Sequence, residues 1–178
     1  MVTGEKLAVQ AATGGYIGIP YEKLDCQGFV ERVIADCGIR KPNGVPYNWR
    51  GSNSMYRNYY QWHGSIDLCK KSFGLIPQGA LVFKMRNDDG EVEHGYTDGL
   101  GNFYHVGIYL GESGRMVIHS TTGGVQYAKS LSGWTHVSLL SMIDYTKSNV
   151  DNPGLTARLN NIFDEIEKLI KEGRDLIK

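Results

Sequence analysis

The chain has 178 residues, of which 41% are hydrophobic and 21% are charged, an ordinary composition for a single globular domain with its own core. Its 19 basic and 19 acidic residues give a net charge near zero, so neither nucleic-acid binding nor adhesion to an anionic membrane is indicated. The sequence lacks a run of about 18 apolar residues and opens without the regions of a secretory signal. We therefore expect no membrane-spanning segment and no signal peptide.

The first part of the sequence predicts helices. Asp25 is a good N-cap residue, apolar residues follow it at helical spacing, and Gly38 ends the pattern. In chain order, we expect a helix over 5–13, a helix over 26–37, a loop over 39–53 and a less regular helical stretch over 54–72.

The later part predicts strands, in segments 79–85, 103–110, 115–119, 124–128 and 135–140. The second and third of these predict a hairpin across 111–114, and the polar stretch over 87–101 predicts a hairpin or an excursion. Helices first and clustered strands later favour the α+β class, with a central antiparallel sheet, over a doubly wound sheet.

A break at Asn152-Pro153-Gly154 separates a main domain, residues 1–150, from a tail, residues 151–178. In the tail, apolar residues recur at steps of four and three and predict an amphipathic helix. They are Leu155, Leu159, Ile162, Ile166 and Leu169. Two interpretations are open: a helix packed on the domain's own surface, or a coiled-coil seam over 155–177 that joins a second copy or an adjoining module.

An aromatic-rich region lies between residues 47 and 62, where tyrosine and tryptophan alternate with amide, hydroxyl and basic side chains. Such rings suit either an open groove that holds a polar ligand or a loop fixed by aromatic anchors. The three cysteines Cys26, Cys37 and Cys69 are an odd number, which argues against a disulfide framework.

Cys26 opens its predicted helix, where unpaired N–H groups and the macrodipole favour a thiolate. Gly28 leaves room beside the thiol. His105 precedes an apolar strand and His119 ends the next one, so strands about 4.8 Å apart can bring the two rings together. These residues predict a nucleophile, a base and an orienting group. The alternatives are a buried structural cysteine and a zinc site, although no paired CxxC or HxxxH spacing supports zinc.

Four ordered motifs resemble those of the NlpC-type peptidoglycan cysteine peptidases. They are Asp25-Cys26-Gln27-Gly28-Phe29-Val30, Pro77 through Phe83, His105 through Gly111, and Ile118-His119-Ser120 followed by Gly124-Val125. The resemblance covers residues 16–145. It implies a papain-like core that needs no cofactor or metal, with Cys26 as nucleophile, His105 as base and His119 as orienting residue.

The resemblance also implies hydrolysis of a peptidoglycan stem-peptide bond, commonly γ-D-glutamyl to diamino acid, outside the cell or at its wall. Tyr21 and Asp25 match positions that hold the substrate, and Gln27 and Gly28 are further candidates for substrate binding. Gln27 departs from the family's usual serine. An N-acetylmuramoyl-L-alanine amidase, a cross-bridge peptidase or a non-catalytic wall-binding module remain alternatives. The chain is expected to be a phage or mobile-element lysin, or a module of a longer wall enzyme.

Overall fold

The structure is a computed structural model that describes residues 1–87, 96–111 and 114–146, together with residues 164, 165 and 168. Those last three residues are helical. The rest of the predicted tail helix, its apolar positions included, lies outside the described residues, as does most of the stretch over 87–95. None of the helices in the described part of the chain is long and apolar enough to cross a membrane.

The described residues form four helices and eight strands. In chain order they are β1 (Val2–Thr3), α1 (Gly4–Thr13), α2 (Cys26–Asp36), α3 (Gly51–Arg57), β2 (Tyr60–Ser65), α4 (Ile66–Phe73), β3 (Leu81–Arg86), β4 (Asn102–Tyr109), β5 (Val117–Thr121), β6 (Gly124–Ala128), β7 (His136–Leu140) and β8 (Ile143–Asp144).

Six strands form one antiparallel sheet in the order β2-β7-β3-β4-β5-β6, and β1 pairs with β8 in a small parallel sheet. This confirms the expected mixture of early helices and a later antiparallel sheet. The predicted hairpin is formed by β4 and β5. Helix α2 packs across β4 and β5, and its inward residues are fully buried. Those residues are Phe29, Val30, Val33 and Ile34.

The predicted helical stretch over 54–72 is wrong in its middle. Residues Tyr60–Ser65 form β2, an edge strand that pairs with β7, between the short helices α3 and α4. Aromatic residues favour strands where a partner is available, and β7 supplies that partner from about 75 residues further along the chain. Helix α3 also begins at Gly51, inside the predicted loop.

A close backbone approach joins the start of α1 to the turn before β3. A Cβ atom on Gly79 would lie 2.1 Å from the Gly4 carbonyl oxygen, and one on Gly4 would lie 2.2 Å from the Gln78 carbonyl oxygen. Gly79 also has a φ of 76° and donates its N–H to the Tyr109 carbonyl at 2.8 Å. Glycine is therefore needed at this point both for conformation and for space.

We expect Gly79→Ala to destabilise the protein more than Gly38→Ala. Both positions have left-handed φ values, 76° and 78°, but a Cβ on Gly38 would meet nothing within 4 Å. The conformational cost of about 1 kcal/mol is shared, so the additional loss at Gly79 reports the clash with Gly4. Urea unfolding of the two variants measures it. Equal losses of unfolding free energy in the two variants would show that the Gly4 backbone moves aside at little cost.

Candidate active site

Cys26 is the first residue of α2, and its position is set by the residue before it. Asp25 adopts extended backbone and its Oδ1 accepts the Gly28 N–H at 2.6 Å, so it caps the helix as expected. A Cβ on Gly28 would have Asp25 Oδ1 as its nearest neighbour, at 3.1 Å. The space at Gly28 therefore accommodates the helix cap, and no other backbone segment approaches there.

The N-terminus of α2 is seated where the β4–β5 ladder ends. That ladder has only two residue pairs, both next to the hairpin turn. Beyond them, the backbone N–H of Val106 in β4 is hydrogen-bonded to the Cys26 sulfur. In β5, the Ser120 hydroxyl donates to the Leu24 carbonyl. The two separating strands thus hold the segment over 24–26 from both sides.

The two candidate histidines contact each other directly. His105 Nε2 lies 2.7 Å from His119 Nδ1, and the ring centroids are 5.0 Å apart. This confirms the expectation that neighbouring strands bring the rings into hydrogen-bonding reach. The thiol accepts the N–H of Val106, the residue after His105, so the sulfur lies against this part of the β4 backbone. His105 Nδ1 is the ring nitrogen that His119 leaves available.

Gly107 makes the close packing of His119 possible. A Cβ at this position would lie 2.6 Å from Val117 Cγ1 and 3.0 Å from His119 Cβ. Glycine between His105 and the apolar end of β4 is therefore part of what lets the second ring reach the first.

Two further side chains enclose the histidine pair, and sequence reasoning missed both. The Trp134 ring lies 5.5 Å from the His105 ring and 5.2 Å from the His119 ring, and only 5% of Trp134 is exposed. The Lys84 ammonium lies 5.1 Å from the centre of the Trp134 ring. The available signals were a lysine interrupting the apolar strand β3 and a tryptophan in a glycine-containing turn.

Burial sets the charge state of the site. It lowers the pKa of His105 to about 3, with contributions from His119 and Lys84, and it lowers the pKa of His119 to about 4, with a contribution from Lys84. Burial also raises the pKa of the Cys26 thiol, although the Val106 N–H acts in the opposite direction. The expectation that the helix N-terminus gives a low thiol pKa is therefore wrong. At neutral pH the resting site holds a thiol and two uncharged imidazoles.

Tyr21 lies close to the thiol, as its predicted role in substrate binding requires. Its hydroxyl is 4.0 Å from the Cys26 sulfur and points toward it as a donor. Burial and the neighbouring sulfur raise the pKa of Tyr21 to about 12, so the hydroxyl stays protonated. Asp25 is exposed to solvent while it caps the helix.

Gln27 is directed away from the thiol and into a clamp with Glu31 and Trp49. Its Nε2 donates to Glu31 Oε1 at 2.7 Å and to the Trp49 carbonyl at 2.6 Å, and the Trp49 N–H donates to the same Glu31 oxygen at 2.6 Å. The Gln27 side chain thus fastens the loop over 39–50 to α2.

The clamp supports an aromatic cluster of Tyr47, Trp49 and Tyr59. The three ring centroids are 5.2 to 5.8 Å apart, and Trp49 is buried with its Nε1 unpaired. Tyr59 is 46% exposed and has a φ of 62°, which is costly for a bulky residue. Trp49 is thus an anchor, while Tyr59 leaves an open aromatic face.

Two of the other histidines, His63 and His136, lie among aromatic side chains. His63 stacks between Tyr56 and Tyr60, and His136 contacts Phe103 and Tyr56. His94 lies outside the described residues. The part of the chain that the structure describes contains no group of three His, Cys, Asp or Glu side chains placed to hold a metal ion.

Comparisons with protein-family models, with curated proteins and with solved structures gave no match to this chain. The candidate site therefore rests on its own geometry and on the motifs.

The alkylation of Cys26 by iodoacetamide is expected to accelerate steadily as the pH rises through 8 and 9. Its raised pKa leaves little thiolate at neutral pH, and the lowered pKa of His105 disfavours an ion pair. Peptide mass spectrometry separates Cys26 from Cys37, whose pKa is also raised and which serves as the internal control. A rate that is already at a plateau between pH 5 and 8 would reveal a thiolate–imidazolium pair and contradict this charge assignment.

Proposed function

We propose that this chain is a cysteine peptidase of the NlpC type, with a papain-like core, that hydrolyses peptidoglycan stem peptides. The observation that carries the proposal is that the Cys26 sulfur accepts the Val106 N–H, one residue after His105 on β4, while His105 contacts His119. The thiol begins a helix, and the base is held on a strand by a second ring. The motif resemblance supplies the substrate class.

The neutral resting site indicates general-base catalysis. His105 Nδ1 takes the thiol proton as the Cys26 sulfur attacks the carbonyl carbon, and His105 then gives that proton to the departing amine. The acyl group stays on Cys26 as a thioester, which water hydrolyses with the same base. For Nδ1 to accept a proton, His105 must carry its hydrogen on Nε2 and donate it to His119 Nδ1. His119 therefore orients the base.

The proposed scissile bond is γ-D-glutamyl to diamino acid. The protonated hydroxyl of Tyr21 and the exposed carboxylate of Asp25 flank the thiol and suit the amino end of a short stem peptide. The amide of Gln27 is held by Glu31 and Trp49, so this recognition would proceed without a hydroxyl at the position after the cysteine. The proposed site of action is the cell wall, outside the cell.

Mass spectrometry of digested peptidoglycan tests this function. We expect a new free amino group on the diamino acid, with the L-alanyl-γ-D-glutamyl fragment left behind. Cys26→Ala should lower the rate at which this product forms by several orders of magnitude, because the covalent route is lost. Cys37→Ala, a half-buried thiol at the other end of the same helix, is the matched control and should retain activity.

Intact stem peptides released from the sugar would identify an amidase with the same three residues, and cut cross-bridges would identify a cross-bridge peptidase. Undiminished hydrolysis by a well-folded Cys26→Ala protein would contradict the nucleophile. Absence of hydrolysis by the wild-type protein, with retained binding to the wall, would show a non-catalytic module.

A further inference from the structure

We propose that Lys84 is a specificity-determining residue that binds a carboxylate of the substrate next to the reacting bond. Lys84 takes no part in the proposed reaction steps. The identity of its ligand rests on the proposed function, and the chemistry of the subsite rests on the position of Lys84.

Lys84 belongs to the site by register. In the β3–β4 ladder it is the direct partner of His105, so the two side chains leave the same face of the sheet as neighbours. Its ammonium lies over the Trp134 ring, 5.1 Å from the ring centre, and that ring contacts both His105 and His119. The positive charge is therefore held beside the histidine pair and does not extend freely into solvent.

The charge has no opposite partner among the residues that the structure describes. Arg32 forms an ion pair with Asp36, and Arg57 forms one with Asp98. Arg115 lies 3.9 Å from Asp164. The side chain of Lys84 is half-buried, and its neighbours are an indole and two uncharged imidazoles.

The Lys84 ammonium opposes protonation of both histidines, because its charge contributes to lowering the pKa of each. A ligand carboxylate would offset this effect. It would form a charge-assisted hydrogen bond with Lys84, and it would reduce the positive field on His105 at the moment when that residue must accept a proton.

The proposed substrate carries such a group. A γ-linked D-glutamyl residue retains a free α-carboxylate three carbon atoms from the carbonyl that is attacked. In stem peptides in which this group is a carboxamide, Lys84 loses its charged partner. The subsite therefore predicts preference for the acidic form over the amidated form.

The first test compares two synthetic stem peptides that differ only in the D-glutamyl α-group, carboxylate or carboxamide. We expect wild-type protein to prefer the carboxylate by at least about tenfold in kcat/KM, mainly through KM. Lys84→Met should bring this ratio close to one, Lys84→Arg should restore most of it, and Lys129→Met, an exposed lysine elsewhere, should keep it. A ratio in Lys84→Met equal to that of the wild type would overturn the proposal.

The second test does not depend on peptidoglycan hydrolysis and decides the matter if neither peptide is cut. It compares the rates at which the anion iodoacetate and the neutral iodoacetamide alkylate Cys26. Any change in the thiol pKa affects both reagents equally, so the ratio of rates isolates attraction of the anion. We expect the iodoacetate-to-iodoacetamide ratio to fall several-fold in Lys84→Met and to be kept in Lys84→Arg. If neither peptide is hydrolysed, a lower ratio in Lys84→Met would support the anion subsite although the proposed function fails. An unchanged ratio in Lys84→Met would contradict the subsite.

Discussion

The site depends on the seating of the α2 N-terminus between two strands that have begun to separate. The Val106 N–H reaches the Cys26 sulfur from β4, and the Ser120 hydroxyl reaches the Leu24 carbonyl from β5. Had the β4–β5 ladder continued in the same register, the Val106 N–H would have faced the backbone of Ser120 across the sheet. The end of the ladder therefore supplies hydrogen-bonding groups to the thiol segment, and it places the histidines of both strands around the same point.

Burial is the second physical constraint on the chemistry. It keeps His105 and His119 uncharged and the thiol protonated, so in the proposed reaction proton transfer accompanies attack on the carbonyl. Trp134 contributes to this burial because it covers both rings. A substrate that brings a negative group to Lys84 would change this balance, which links recognition of the substrate to the strength of the base.

The sequence allowed the main elements of the site to be predicted because they depend on local rules. Asp25 predicts a helix cap, and apolar residues at a spacing of three and four predict the helix behind it. The strand-like segments 103–110 and 115–119, which flank the turn over 111–114, predict a hairpin. Each of these patterns is contained in fewer than about 20 residues, and the structure has all three elements.

What depends on distant partners could not be predicted in the same way. Strand β2 exists because β7 lies beside it, and the site contacts of Lys84 and Trp134 arise from the order β7-β3-β4-β5. The place of Gln27 directly after Cys26 predicts a part in substrate binding. Its contacts with Glu31 and Trp49 could not be read from the sequence, since Trp49 is 22 residues away in an irregular loop. The raised pKa of Cys26 likewise follows from burial by the whole sheet.

The central claim is that Cys26 becomes acylated by a stem peptide, and trapping that intermediate tests it most directly. A stem peptide mixed with the protein and quenched in acid within one turnover should yield protein carrying one L-alanyl-γ-D-glutamyl group, and fragmentation should place that mass on Cys26. The wild-type protein with the added mass on this residue is the predicted result. Rapid product formation with no added mass on any cysteine, or with the mass on Cys37 or Cys69, would contradict the account.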